Sequence, residues 1–365
     1  MKYFLVTGEA SGDLHGANLI KSIKESDKSA RFNYWGGDKM AAQADGLLMH
    51  YKNISIMGFV EVLLNLRSIF ANMDLCKNQI SSFAPDVVVL IDFPGFNLRI
   101  AEFCKSKGIK VVYYISPKVW AWKESRAKKL EKYVDLLLLI FPFEVDYFKK
   151  WKVKAVYVGN PLLDEIAHFN PNTLFRQQND LSDKPIIALL PGSRKQEIKT
   201  TLPLMMKLAQ SYPDYQFLVA GAPSISKEMY APFVNQNVKI IYNQTYDILN
   251  LSTAAIVCSG TATLETALFD VPQVCAYAAN PISYFIAKML VKVQYISLVN
   301  LNLHKEAICE LVQSDFNDKR LAQEFEAILP SGAKRNKLLN DYAELRSLFG
   351  KGASDKASAE ISKII

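Results

Sequence analysis

Five short stretches put carboxylates, hydroxyls or cations directly after apolar runs. Residues 8–13 read GEASGD and follow Tyr3-Phe4-Leu5-Val6; Gly8 and Gly12 would let a ligand approach the backbone, and Ser11 and Asp13 are good helix caps. Glu9 and Asp13 would repel a phosphate, so Gly8, Glu9, Ser11, Gly12 and Asp13 suit a hydroxyl-rich ligand. Residues 91–97 read IDFPGFN, and Asp92 at the end of an apolar run is a candidate general base, or else a cap of the next helix. Residues 116–122 read SPKVWAW, with Lys118, Trp120 and Trp122 on a loop where aromatics stack on a sugar or simply pack. Residues 189–194 read LLPGSR, and Arg194 beside Ser193 can hold a phosphate through paired hydrogen bonds. Residues 259–265 read SGTATLE: Ser259, Gly260 and Thr261 open a helix whose free N–H groups can cradle a phosphate, and Glu265 can accept from both ribose hydroxyls. Each stretch alone is also an ordinary strand-to-helix turn. The last two complement each other as a nucleoside-diphosphate site.

The elements that must position these residues alternate. Strands are predicted over 3–7, 32–35, 86–91, 110–115, 136–141 and 155–158, then over 186–190, 216–220, 239–242, 255–258 and 273–276. Helical periodicity fills the gaps, for example over 14–24, 98–107 and 125–133. Runs such as Val87-Val88-Val89-Leu90-Ile91 are expected of parallel strands buried on both faces. The class is α/β, with two doubly wound Rossmann-like halves. The polar stretch 170–184 interrupts the alternation. The expected domains are 1–165, 166–345 and a helical tail, 346–365, that packs on the first domain or on a partner chain.

Half of the 365 residues are hydrophobic and 22% are charged, which suits a folded globular chain. The five Cys are scattered, the four His have no metal-ligand spacing, and no secretory leader pattern opens the chain. Neither the dinucleotide fingerprint nor a P-loop is present, which disfavours a nicotinamide-dependent oxidoreductase. Net charge is +7, and residues 99–154 hold 14 Lys and Arg against 6 Asp and Glu, a basic region that suits an anionic partner. Residues 56–75 are apolar, with charges only at Glu61, Arg67 and Asp74; they read as a buried core helix or as an interfacial helix. Residues 284–297 raise the same question more weakly.

Taken in order, GEASGD, MGFVEVL (57–63), IDFPGFN, SPKVWAW, FPFE (141–144), LLPGSR, SGTATLE and YISLVN (295–300) resemble the lipid-A-disaccharide synthase family of Gram-negative bacteria. The resemblance implies a GT-B glycosyltransferase, two Rossmann-like domains facing a cleft, inverting and without metal or other cofactor. It implies UDP-2,3-diacylglucosamine as donor, 2,3-diacylglucosamine 1-phosphate as acceptor, and the β-1,6-linked disaccharide 1-phosphate and UDP as products. It assigns catalysis to Asp92, Arg194 and Asn300, the diphosphate to Ser193, Arg194 and Ser259–Thr261, and the ribose to Glu265. His15 is the runner-up base. Gly95 stands where the family form has an acidic residue, and Val299 where it has proline. The implied setting is the inner face of the bacterial inner membrane, reached through the 56–75 helix and the basic region, with no nucleic acid partner and room for a homodimer. A UDP-N-acetylglucosamine 2-epimerase, of the same fold, is the competing enzyme; a non-enzymatic peripheral membrane or nucleic-acid binder is the competing class.

Overall fold

The structure, a computed structural model, describes residues 1–54, 66–120, 124–235, 237–279 and 294–365. The chain divides into two compact units, residues 1–164 with 349–365 and residues 165–348. Each is built on one parallel sheet.

In the first unit, β1 (Lys2–Val6), β2 (Arg31–Gly36), β3 (Leu47–His50), β4 (Val87–Ile91), β5 (Lys110–Tyr114), β6 (Leu136–Leu139) and β7 (Ala155–Tyr157) lie in the order β3-β2-β1-β4-β5-β6-β7. The runs of β4 and β6 are buried along their whole length, as helices cover both faces of a parallel sheet. In the second unit, β8 (Ile186–Leu190), β9 (Gln216–Gly221), β10 (Val238–Tyr242), β11 (Ser252–Cys258), β12 (Gln273–Tyr277) and β13 (Glu310–Val312) lie in the order β10-β9-β8-β11-β12-β13. Strands β3 and β13 escape prediction because each is a short edge strand of three or four residues with mixed exposure.

Both orders reverse direction once, between β1 and β4 and between β8 and β11. Such a switch point opens a crevice at the carboxyl ends of the strands, where ligands bind in open α/β sheets. Register levels those ends: Val6 is opposite Leu90, and Leu190 is opposite Val257. Gly8 therefore comes level with Asp92, and the turn after Leu190 comes level with Ser259.

The tail belongs to the first unit. Helix Ala353–Ser362 packs on helix Ala10–Ser26, where Ser22 Oγ donates to Asp355 Oδ1 at 2.6 Å. The N–H groups of Gly352 and Ala353 donate to the Asp164 carboxylate at 2.8 Å each.

The described part of the 56–75 stretch is helix Leu66–Phe83, which runs well past residue 75. Met73, Cys76 and Ile80 turn inward, while Phe70 is 55% exposed and Leu75 is 39% exposed. The stretch from 55 to 65 lies outside the described residues, as do 284–293 and Trp122. Among the described residues no helix is long and apolar enough to cross a membrane.

Candidate active site

Asp92 sits one residue past β4 in a left-handed conformation (φ 44°), followed by Phe93 in another (φ 49°). Ile115, one residue past β5, is left-handed too (φ 67°), a rare state for a β-branched residue. Three such residues at adjacent strand ends store strain of order 1–3 kcal/mol each, which the surroundings must hold. Here Asp92 N–H donates to Tyr114 O at 3.0 Å, and Asp92 O accepts from Tyr113 Oη at 2.6 Å and Asn97 Nδ2 at 2.8 Å. The backbone is pinned on three sides, and the carboxyl is left to face Glu9, with which it hydrogen-bonds. Burial and then the Glu9 charge raise its pKa to about 6, and Lys118 pulls the other way. Asp92 is thus a carboxyl that changes charge near neutrality, the property a general base needs. It does not cap the following helix, Pro94–Ser106, whose N-cap residue is Phe93.

The 8–13 stretch is less open than its glycines suggest. The helix starts at Ala10, so Gly12 and Asp13 lie in its first turn and Glu9 is the N-cap residue. A Cβ on Gly8 would fall 2.4 Å from the Phe93 ring, and one on Gly12 would fall 1.7 Å from Thr7 Oγ1. These glycines make room for protein rather than for ligand. Asp13 is buried, and its oxygens accept from the N–H groups of Gly37 (2.7 Å), Lys39 (3.1 Å) and Met40 (3.1 Å), at the start of helix Asp38–Ala41. Asp13 thus spends its carboxylate on the 37–40 backbone, and neither Gly8 nor Gly12 has room for a side chain. Glu9 and the exposed Ser11 remain at the site, and Ser11 Oγ donates to Glu9 Oε1 at 3.0 Å. His15 is a weak base: burial, with the Lys39 charge, depresses its pKa to about 4.

Lys118 is exposed on the loop after β5. Trp120 is partly buried, donates Nε1–H to Glu144 Oε1 at 3.2 Å, and meets the Phe143 ring edge-on at 4.9 Å. Its ring is packed into the loop's support, which limits its use as a sugar platform. Glu144 is a residue that chain order did not single out. It is buried, also accepts from Ser116 Oγ and from Phe141 N–H, and burial pushes its pKa up to about 7. A carboxylate two residues after Pro142 in FPFE was the available signal.

In the second unit, Ser193 and Arg194 are exposed at the end of β8, where helix Lys195–Ser211 begins. Their N–H groups donate to Glu197 Oε2 at 3.0 and 3.2 Å, and Arg194 Nη1 donates to Glu197 Oε1 at 2.8 Å. Glu197 thereby takes up the donors that an anion would use, an internal carboxylate at a helix start. After β11, Gly260 N-caps helix Thr261–Leu268, and a Cβ built on Gly260 meets nothing within 4 Å, so this face of the turn is open. Ser259 Oγ donates to Ile296 O at 2.9 Å, which leaves the exposed Thr261 as the hydroxyl facing out. Glu265 follows in the same helix; its Oε1 accepts from Tyr246 Oη at 3.1 Å, and burial raises its pKa. Tyr246, held edge-on by Phe169 at 5.6 Å, is the residue that fixes this carboxylate, and nothing in its local sequence signals it.

Asn300 is fully buried and fully engaged. Its Nδ2 donates to Ile308 O (2.9 Å) and Glu310 Oε1 (2.8 Å), and its Oδ1 accepts from Ala307 and Ile308 N–H (2.9 Å each). It ties helix Leu298–Leu303 to the approach of β13, and Glu310 in turn accepts from Ile296 and Ser297 N–H at 2.9 Å. Through Glu310 these contacts reach the segment whose Ile296 carbonyl receives Ser259.

Comparison with known proteins matches this layout. A family described as lipid-A-disaccharide synthetase matches residues 3–365. A lipid-A-disaccharide synthase of Myxococcus xanthus (strain DK1622) is 35% identical over 100% of this chain and 97% of its own. One from Syntrophus aciditrophicus (strain SB) is 37% identical over 97% and 95%. Among solved structures, a UDP-GlcNAc 2-epimerase from Neisseria meningitidis bound to UDP-GlcNAc has TM-score 0.67 at 12% identity, covering 100% of both chains. The calicheamicin glycosyltransferase CalG4 has TM-score 0.62 at 13% identity, covering 99% and 97%. At such identities the structural likeness speaks for the fold alone, which is GT-B.

Proposed function

The chain belongs to the lipid-A-disaccharide synthase family, glycosyltransferases of lipid A biosynthesis, and from this premise we propose how its residues share the work. The substrates are a UDP-sugar donor and a sugar phosphate acceptor; the specific pair is UDP-2,3-diacylglucosamine and 2,3-diacylglucosamine 1-phosphate.

In the step, the acceptor 6-hydroxyl oxygen bonds to the donor's anomeric carbon as the bond from that carbon to the diphosphate oxygen breaks. The hydroxyl proton passes to Asp92, and the electron pair leaves with UDP. Glu9 orients the acceptor hydroxyls and keeps the Asp92 carboxyl basic enough to accept a proton near neutral pH. In the second unit, Arg194 turns from Glu197 to the diphosphate, joined by the N–H groups at Gly260 and Thr261, and stabilises the charge of the leaving group. Glu265, steadied by Tyr246, takes the ribose hydroxyls.

The observation that carries this reading is Asp92: a strained, backbone-pinned carboxyl at the switch point of the first sheet, paired with a second carboxylate. The test is UDP release from the diacylated donor with and without the monosaccharide phosphate, in wild type and Asp92→Asn. Acceptor-dependent release that collapses in the variant is expected. Acceptor-independent turnover, or epimerisation of UDP-N-acetylglucosamine, would overturn it. The epimerase reading fits less well, because the full-length relatives at 35–37% identity are synthases while the epimerase likeness is 12%.

Attachment to an anionic membrane surface is a further part of the proposal. Its support is the exposed Phe70 and Leu75 on helix Leu66–Phe83 and exposed lysines such as Lys128, Lys129 and Lys132 on helix Ser125–Tyr133.

A further inference from the structure

Residues 116–120 leave β5 and carry Lys118, the one cation among the described residues that acts on Asp92. Helix Pro142–Phe148 grips this loop along its length. Glu144 accepts from Ser116 Oγ, two residues past β5, and from Trp120 Nε1, four residues further on. Phe143 packs edge-on against Trp120, and Tyr147 Oη donates to Val119 O at 3.4 Å. Both Ser116 and Trp120 converge on the same oxygen, Oε1, while Oε2 takes Phe141 N–H at 3.2 Å. A buried carboxyl group that takes donors at both oxygens, with no cation among these partners, is a costly arrangement for a fold to keep unless it fixes something.

We infer that Glu144 is a positioning residue: it clamps loop 116–120 to helix Pro142–Phe148 so that the Lys118 ammonium stays beside Asp92 and faces an anionic acceptor. This inference rests on Asp92 being the base. Glu144 does not touch the reacting atoms and acts only through the loop. Among the described residues the groups facing Asp92 are Glu9 and Lys118, with the Tyr113 hydroxyl bound to its backbone carbonyl. Lys118 favours the ionised carboxylate, so withdrawing it must make Asp92 harder to ionise.

The experiment is the pH dependence of kcat/KM for wild type, Lys118→Met, Glu144→Ala, Glu144→Gln and the Lys118→Met/Glu144→Ala double variant. Calorimetric UDP affinity and a thermal melt check that each is folded. Lys118→Met should move the acid limb to higher pH by roughly half a unit. Glu144→Ala should move it in the same direction, and the double variant no further than the larger single shift. Glu144→Gln keeps an oxygen for Ser116 and Trp120, so its limb should return to the wild-type position. If Glu144→Ala does not fold, Trp120→Phe removes one of the two donors at Oε1 and should give a smaller shift of the same sign. A limb that moves in Lys118→Met but in neither Glu144→Ala nor Trp120→Phe overturns the clamp. A limb that does not move in Lys118→Met overturns the reading of Asp92 as base, and the inference with it.

Discussion

The carboxyl of Asp92 and the carboxylate of Glu9 hydrogen-bond across the neighbouring ends of β4 and β1. Neither strand end would place its acid there without the switch point, since β1 and β4 are far apart in sequence and adjacent only in the sheet. Burial first, and then the repulsion between two carboxyls in contact, keeps Asp92 protonated into the neutral range.

This pair makes the first prediction. kcat/KM should rise with pH through about 6 and then level off, because the base works only when ionised. Glu9→Gln removes the repelling charge, so the limb should move to lower pH. Asp92→Asn should lower the chemical rate by about 10²–10⁴ while UDP binding, read by calorimetry, stays near wild type. A limb unmoved in Glu9→Gln would show that the two acids do not titrate together.

Arg194 is 74% exposed on its side chain and pairs with Glu197 three residues on. Exposed pairs of this kind contribute little to stability, so Arg194→Ala should melt within a few degrees of wild type. Turnover should fall strongly, since a charge-assisted contact to the diphosphate is worth roughly 1.5–3 kcal/mol. Equal losses of melting temperature and turnover would place Arg194 in the scaffold instead.

Glu265→Ala should weaken UDP binding in calorimetry, and Tyr246→Phe should weaken it less, because the tyrosine acts through the carboxylate it holds. Wild-type UDP affinity in Glu265→Ala would remove that residue from the ribose.

Glu144 offers a stability test whose sign is fixed. Its pKa is about 7 when folded, against an ordinary 4.5, so between those values the folded state holds more protons than the unfolded. Its favourable contribution is complete below about pH 4.5 and is lost as pH rises through 7. Relative to wild type, Glu144→Gln should therefore gain stability over that window, by on the order of 1–3 kcal/mol in denaturant titrations. Comparing the two proteins at each pH cancels the rest: Asp92 acts in the same direction up to about 6, and His15, depressed to about 4, acts in the opposite one. A difference that does not change with pH would mean Glu144 is ionised throughout.

Replacing Phe70 and Leu75 by Glu should reduce co-sedimentation with anionic liposomes and leave the melting temperature nearly unchanged, since both side chains are exposed. Raising salt should weaken the wild-type binding as well. A large drop in melting temperature with undiminished lipid binding would make this face part of the core.

The α/β class and the strand ends are written in the apolar runs. Continuous apolar runs such as those of β4 and β6 suit parallel strands covered on both faces, and residues placed directly after such strands emerge at the carboxyl edge. That locality is why the positions of Asp92, Arg194 and Gly260 at the strand ends were legible, and why the ordered motifs were enough to point to the family. The tertiary structure alone decided which of the edge residues are free to act. Gly8, Gly12, Asp13 and Asn300 look like ligand groups in one dimension, but Phe93 and Thr7 leave no room for a side chain at the two glycines, Asp13 accepts from the 37–40 backbone, and Asn300 is bonded to the 307–310 segment. Hydrogen-bond capacity is spent on whatever lies nearest in space, and a linear pattern does not contain that neighbour. The same reason hid Glu144 and Tyr246: each works by touching a residue that chain order places 19 or more positions away.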